Sequence, residues 1–307
     1  MNFKKPKFWD SKKISIWVII LFPLSIIYQF IYWTINLLRP LRKFPIPIIC
    51  IGNIYLGGTG KTPLTREIFN ICKSLNKNPA FIKKPYAYLI DEIKMLEKTG
   101  KIFTSKDRIK SINLSINHKY DVGILDDGFQ DFSIKPDLSI LCFNSKQLIG
   151  NGFVIPSGPL RESFSSIKRA NCILINGDKN SEFEKKIKEA NTHVKIFYCS
   201  YKIKNPEKFK KNEVIAFAGI GNPQNFFDLL KKDNINLKKT FSFSDHYNYS
   251  DNDFDKIITS EENLMYLTTE KDYFRLNNKM KKQIDCVEVD LIIENKDEFK
   301  NFIKNYL

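Results

Sequence analysis

The stretch CIGNIYLGGTGKTPL, residues 50–64, holds the residue types that bind a polyphosphate. The usual ATP loop reads G-x-x-x-x-G-K-[ST]. Gly60, Lys61 and Thr62 supply its second half, but Tyr55 stands where the first glycine belongs. What a phosphate needs is a run of backbone N–H groups pointing inward at a helix N-terminus. Gly57, Gly58 and Gly60 permit that backbone. Lys61 can neutralise the terminal phosphates and Thr62 can bind Mg²⁺. Tyr55 sits at the mouth, where a side chain can point away. The failed pattern match is therefore not a failed mechanism. The candidate ATP site is Tyr55, Leu56, Gly57, Gly58, Thr59, Gly60, Lys61 and Thr62.

Three further groups carry carboxylates or histidine. ILDDGFQ ends a strand-like run in Asp126 and Asp127, and a carboxylate there can hold Mg²⁺ or its water shell. Taken alone the pair also fits a plain strand-to-turn Asp-Gly; the upstream loop favours the metal. Asp91-Glu92 opens a helical pattern, where acids are ordinary dipole partners. Asp245-His246 lies in a polar loop. Neither of the last two groups points to chemistry by itself.

The elements around these residues alternate. PIPIICIGN reads as a buried strand, and TPLTREIFNICKSL as a helix with Leu64, Ile68, Ile71, Cys72 and Leu75 on one face. Strand, glycine loop and helix follow in the order the motif requires. AFIKK, DVGILDD, DLSILCF and NCILING read as further strands, and DEIKMLEK as a short helix. Alternating apolar strands and helices predict an α/β fold with a doubly wound, mostly parallel sheet of the P-loop NTPase kind. The charged stretch from Asp178 to about Lys211 reads as a connection. EVIAFAGIGNPQNFFDLL and LMYLTTEKDYFRL then start strand–helix units again. We expect an N-terminal helix with basic flanks over 1–43, a P-loop core over 44–204 and a smaller α/β domain over 205–307.

From Ile14 to Leu38 no residue is charged. As a helix, this run would be roughly 37 Å long, against about 30 Å of bilayer core. Its crowded aromatics and the lack of a small-residue cleavage site fit a signal peptide poorly. Lys4, Lys5, Lys7, Lys12 and Lys13 precede it; Arg39, Arg42 and Lys43 follow. A crossing with the nucleotide loop in the cytoplasm would put the lysine-rich end outside, against the positive-inside tendency. Pro23 interrupts the run. Ser25, Gln29, Tyr32 and Asn36 make a weak polar stripe. These features favour a helix lying in the cytoplasmic interface over a single crossing or a soluble core helix.

Composition sets the outer bounds. The 307 residues are 43% apolar and 27% charged, which allows a real core and excludes global disorder. The net charge of +15 suits an anionic partner, although the chain's general richness in Lys, Asn and Ile also feeds it. Six cysteines form no C-x-x-C pair; Cys50, Cys142 and Cys172 lie in apolar runs and read as small buried hydrophobes. Three histidines argue against a multi-histidine metal centre.

GNIYLGGTGKTPL, LDDGFQ, GNGFVIPSGPLRE, FAGIGNPQNFF, SDH and LTTEKD occur in that order. As a set they resemble the tetraacyldisaccharide 4'-kinases, the lipid A 4'-kinases of Gram-negative bacteria, over nearly the whole chain. The resemblance implies transfer of the ATP γ-phosphoryl group, with Mg²⁺, to the 4'-hydroxyl of a tetraacylated glucosamine disaccharide 1-phosphate. It implies work at the cytoplasmic face of the inner membrane. It also implies residue roles. Lys61 would cradle the phosphates, and Thr62 with Asp126 or Asp127, helped by Glu92, would hold Mg²⁺. Asp91 and His246 would be the general base and its orienting partner, and Arg161 would steady the transferring phosphoryl group. His246 falls in the expected second domain, and from that placement we expect domain closure to assemble the site.

The likeness has departures. KKPYA stands where the family carries S-R-G-Y-G, so Lys84 replaces an arginine. Ile90 replaces the glycine before Asp91, after a shortened segment. Asp131 replaces a histidine, and we assign it no role. Two other classes compete. One is a membrane-tethered P-loop ATPase with a different acceptor or a regulatory role; its deviant, partner-switching class carries K-G-G-x-G-K-T, but Leu56 stands at the lysine position. A non-catalytic binder leaves the loop and the aspartates without a purpose, and no basic-aromatic nucleic-acid motif is present. No obligate protein partner is expected.

Overall fold

The computed structural model describes residues 5–11, 13–86, 90–258 and 264–307. Lys4 and Lys12 of the basic flank and Ala87 of KKPYA lie outside the described residues. The first half of the chain forms α1 (Ile16–Leu37), β1 (Ile48–Gly52), α2 (Lys61–Ser74), β2 (Pro79–Lys83), α3 (Ile90–Glu97), β3 (Ile102–Thr104), α4 (Arg108–Asn117), β4 (Val122–Asp126) and β5 (Leu138–Asn144). Next come β6 (Cys172–Asn176), α5 (Ser181–Ala190), β7 (Lys195–Ile203), β8 (Glu213–Ala218), α6 (Pro223–Lys232), β9 (Leu237–Ser242) and α7 (Asp251–Ile257). The chain closes with β10 (Leu264–Thr269), α8 (Glu270–Tyr273), α9 (Asn278–Lys281), β11 (Ile284–Val287), β12 (Val289–Ile293) and α10 (Lys296–Lys304).

Two compact units result. The larger holds Lys5–Pro85, Thr99–Ser200 and Ile293–Leu307; the smaller holds Tyr86–Lys98 and Tyr201–Ile292. The divide falls within β7 and β12. The main sheet of the described residues runs β12-β7-β6-β5-β1-β4-β2-β3. Every pairing from β7 through to β3 is parallel. At the β12 edge, Lys204 N donates to Glu288 O and Glu294 N to Tyr198 O, a register that runs antiparallel. The doubly wound, mostly parallel sheet expected from the sequence is therefore present.

Burial explains the central strands. Ile48–Gly52 is buried on both faces, as a strand covered by helices must be. Leu64, Ile68, Ile71 and Cys72 of α2 are buried as expected, whereas Leu75 caps the helix and is exposed in part. Cys50, Cys142 and Cys172 are buried in their strands, and burial pushes the Cys50 thiol up to about 12. Successive strands step to one side of β1 through β2 and β3, and to the other through β5, β6 and β7. That reversal opens a crevice at the carboxyl ends of β1 and β4.

The smaller unit carries its own parallel sheet, β11-β10-β8-β9. Val214, Ala216 and Ala218 of β8 enter one apolar cluster, with Phe226, Phe227 and Leu230 of α6. Ile215 and Phe217 enter the other, with Phe254, Ile257 and Met280. The period-2 alternation of a strand thus feeds a core on each face.

The stretch from Asp178 to Lys211 is not a simple connection. It contains α5, capped by the Asn180 side chain, and β7, which joins the main sheet. Only Phe183 and Ile187 of α5 are buried, so its charged outer face hides the pattern.

Helix α1 belongs to the larger unit. The Ser25 hydroxyl donates to Val154 O at 2.9 Å and lies 2.8 Å from the Ser157 hydroxyl. Tyr28 donates to Arg161 O at 3.2 Å, and Tyr32 meets Phe132 edge-on. The polar stripe therefore faces the body of the unit. Trp17, Ile19, Ile20, Ile27, Phe30 and Trp33 are exposed on the remaining face. By length and composition this helix suffices to cross a membrane.

Candidate active site

The loop after β1 is shaped by two left-handed glycines. Gly57 has φ +134° and Gly60 φ +88°, backbone that a side chain would strain. Asn53, fully buried at the end of β1, donates through Nδ2 to the carbonyls of Tyr55 and Gly57. Its Oδ1 accepts from Lys61 Nζ at 3.0 Å. One side chain thus ties the loop backbone to the ammonium of the lysine that begins α2. Tyr55 does not stand open at the mouth. It is buried, with its hydroxyl bonded to Asp10 and Lys5 of the N-terminal segment. The Thr59 hydroxyl is buried with no partner among the described residues, an oxygen left for a ligand.

The GPLRE segment lies along this loop. Leu56 N donates to Pro159 O and Arg161 N to Ile54 O. Arg161 Nη1 then reaches both oxygens of Asp127, at 3.0 and 3.1 Å, and Gln130 Oε1 at 3.2 Å. Lys61 Nζ lies 3.6 Å from Asp127 Oδ1. Burial acts to raise the Asp127 carboxyl, but the charges of Lys61, Arg161 and Lys83 outweigh it and hold the group well below the usual carboxylate range. Asp127 has φ +55°, a left-handed turn that lets consecutive aspartates point to different partners. Asp126 instead faces Lys83 and Thr65. Asp131 accepts from Arg108 at 3.0 Å and pairs with Lys84 at 3.2 Å. Burial raises its carboxyl, but Ser133, Arg108 and Lys84 lower it to about 2.

The smaller unit gathers Asp91, Glu92, Asp245 and His246. Asp91 Oδ2 accepts from Arg275 Nε at 2.8 Å and Nη2 at 2.6 Å, and His246 Nδ1 faces it at 3.5 Å. Burial acts to raise the Asp91 carboxyl; His246, Lys271 and Arg275 together pull it below its ordinary value. Lys271 pairs with Glu92 at 3.0 Å and Asp245 at 3.6 Å, and lies 3.2 Å from His246 Nε2. Burial would lower the Lys271 ammonium, yet Glu92 and Asp245 raise it above its ordinary value. A charged Lys271 donates to Nε2, which places the proton of a neutral imidazole on Nδ1, toward Asp91. Behind them, Asp272 accepts from Gly219 N, Tyr249, Thr269 and Arg275. His246 N donates to Gly219 O, which holds the imidazole loop to the same hub.

The sequence-predicted residues thus fall into two groups. Lys61, Thr62, Asp126, Asp127 and Arg161 lie in the larger unit; Asp91, Glu92 and His246 lie in the smaller. Asn53, Gln130, Lys83, Lys271 and Arg275 were not singled out from the sequence. Asn53 closes the strand just before the loop, a position open to notice. Arg275 is 184 residues from the aspartate that it holds, so nothing local announces it.

Comparison with known proteins decides the family. The model of the tetraacyldisaccharide-1-P 4'-kinase family matches residues 17–307. The chain belongs to this family. A tetraacyldisaccharide 4'-kinase of Pelagibacter ubique (strain HTCC1062) is 40% identical over 312 residues, spanning 98% of this chain and 97% of that one. One of Rickettsia felis is 31% identical over 313 residues, spanning 95% and 94%. A crystal structure of LpxK from Aquifex aeolicus in complex with ATP superposes with a TM-score of 0.73 at 28% identity, covering 94% of this chain and 99% of that one. The chain is therefore a kinase of lipid A biosynthesis that phosphorylates a tetraacylated disaccharide at its 4' position.

Proposed function

We propose that ATP binds along Tyr55–Thr62, with its terminal phosphates on the backbone N–H groups of the loop and on Lys61. The convergence of Lys61 and Arg161 on Asp127 at the carboxyl ends of β1 and β4 carries this reading. The ATP bound by the Aquifex aeolicus relative supports it. The donors also fit Mg²⁺. The Thr62 hydroxyl and an ionised Asp127 are hard oxygen ligands, and a site that adds phosphate oxygens and waters needs few from the protein. When bound, the metal would offset negative charge on the β- and γ-phosphates. Arg161 steadies charge on the transferring group.

For the acceptor, Asp91 takes the proton of the 4'-hydroxyl, and His246 orients that carboxylate. Arg275 keeps Asp91 ionised, and Lys271 sets the imidazole tautomer. A carboxylate base suits phosphoryl transfer, which rests mostly on positioning and charge stabilisation. Helix α1 seats the enzyme at the cytoplasmic face of the inner membrane. Its exposed apolar face enters the acyl boundary, and Lys7, Lys13, Arg39, Arg42 and Lys43 meet the anionic leaflet.

The test is label transfer from γ-labelled ATP to tetraacyl disaccharide 1-phosphate in detergent, beside Lys61→Ala and Asp91→Ala. Labelled lipid from the native chain, lost in both variants, is the expected result. Label that survives Asp91→Ala would remove that residue as base and leave the enzyme standing.

A further inference from the structure

Lys83 and Asp126 end the neighbouring parallel strands β2 and β4 and pair inside the larger unit. Their side chains are 2% and 1% exposed. The Lys83 ammonium sits on Asp126 Oδ2. The other oxygen, Oδ1, accepts from the Thr65 hydroxyl at 3.0 Å, and Thr65 is fully buried on α2. The Thr65 hydroxyl also reaches Lys61 O at 3.0 Å. Both oxygens of Asp126 are therefore occupied by protein groups. The next residue is paired as well, with Arg161 Nη1 on both oxygens, but it differs in exposure: Asp127 is 27% exposed, so its pair is solvated at the mouth of the loop and opens at less cost than the buried one.

We infer that Lys83 is the resident counter-cation of Asp126, so that a divalent metal at this site is held by Thr62 and Asp127 and not by Asp126. The inference rests on the nucleotide-site reading above. Its physics is desolvation. A buried ammonium is costly unless paired, and a buried carboxylate likewise. For Asp126 to ligate a metal, the buried Lys83 ammonium would have to give up this ion pair. Lys83 is instead a positioning residue. Through Asp126 and Thr65 it ties the ends of β2 and β4 to the first turns of α2, which present Lys61 and Thr62.

The test uses the full chain without nucleotide, so that it reads the ion pair and not the kinase reaction. Thermal unfolding is followed in chelator and in millimolar Mg²⁺, with Mn²⁺ binding followed by electron paramagnetic resonance. The native Tm should not respond to Mg²⁺. Lys83→Met should unfold about 5–10 °C lower in chelator, because it strands a buried carboxylate. Mg²⁺ should restore much of that loss, and Mn²⁺ affinity should rise tenfold or more, since Asp126 is now free. In Lys83→Met/Asp126→Leu the Tm in chelator should recover and the metal response should vanish. If Lys83→Met does not fold, the double variant decides alone: its Mg²⁺ requirement for lipid phosphorylation should stay within a few-fold of native. A native Tm raised by Mg²⁺ and lost with Asp126→Asn would overturn the inference. So would a tenfold higher Mg²⁺ requirement in the double variant. ATP binding that survives Lys61→Ala, with the expected unfolding results, would keep the ion pair and discard the nucleotide-site reading.

Discussion

Replacing Arg275 by Met tests the proposed role of Asp91 as base. The guanidinium gives two charge-assisted hydrogen bonds to one oxygen of Asp91, and both side chains are buried. Because the two bonds share an acceptor, their energies do not add. Breaking one partner of a buried pair costs about 3–5 kcal/mol. His246 and Lys271 remain beside Asp91, so the lower end applies, about 3 kcal/mol. For a chain of this size that lowers Tm by roughly 6–12 °C. Asp272 keeps Gly219 N, Tyr249 and Thr269, so its share is small.

The pH dependence separates a positioning role from plain stability. Asp91 is depressed in the fold, so its contribution to stability is present above its unfolded pKa and is lost as pH falls through the folded value. Without Arg275 the folded value rises. The acid limb of kcat/KM should move to higher pH, and kcat/KM on the plateau should fall about tenfold to a hundredfold through misplacement. Arg275→Lys should recover the charge but not the fork. Initial rates of lipid labelling from about pH 3 to pH 7, which brackets the ordinary carboxylate range, beside unfolding curves, give both readouts. A lowered Tm with an unmoved acid limb would refute the claim that Arg275 tunes the base.

Two further outcomes are expected. Gly57→Val puts a β-branched residue at φ +134°, strain of about 1–3 kcal/mol; ATP binding by equilibrium dialysis should weaken at least tenfold, and Tm should fall by about 2–12 °C. Ile19→Glu/Ile27→Glu places charge on the exposed face of α1; co-sedimentation with anionic phospholipid vesicles should drop, while activity on detergent-dispersed lipid persists.

The sequence displayed what is local. IICIG is apolar without a break because β1 is covered on both faces, and the helix after GGTGKT shows its face at i, i+4, i+7 and i+8. What stayed hidden depends on neighbours. Lys83 reads as the polar end of a strand until β4 is known to lie beside β2 with Asp126 at its tip. Asp131 breaks the family pattern when read alone, yet it forms one cluster with Lys84 and Arg108. Helix α5 was lost among EKKIKEA because two buried residues anchor it. Tyr55 was misjudged because its partner, Asp10, comes from a segment that carries no motif.

Charge balance joins these particulars to the reaction. Around the ends of β1, β2 and β4, five basic side chains, Lys61, Lys83, Lys84, Arg108 and Arg161, meet three carboxylates, Asp126, Asp127 and Asp131. Lys83 is spent on Asp126, while Arg108 and Lys84 share Asp131. Lys61 and Arg161 share the single charge of Asp127, at the exposed end of the cluster. One of the two unbalanced positive charges therefore sits where the loop opens, and a polyphosphate would meet cations already in place. Such preorganised charge costs no reorganisation when the γ-phosphoryl group moves. The chain's excess of lysine and arginine over acid does not by itself identify an anionic substrate. Two cations sharing one half-exposed aspartate beside a glycine loop give that excess a definite location.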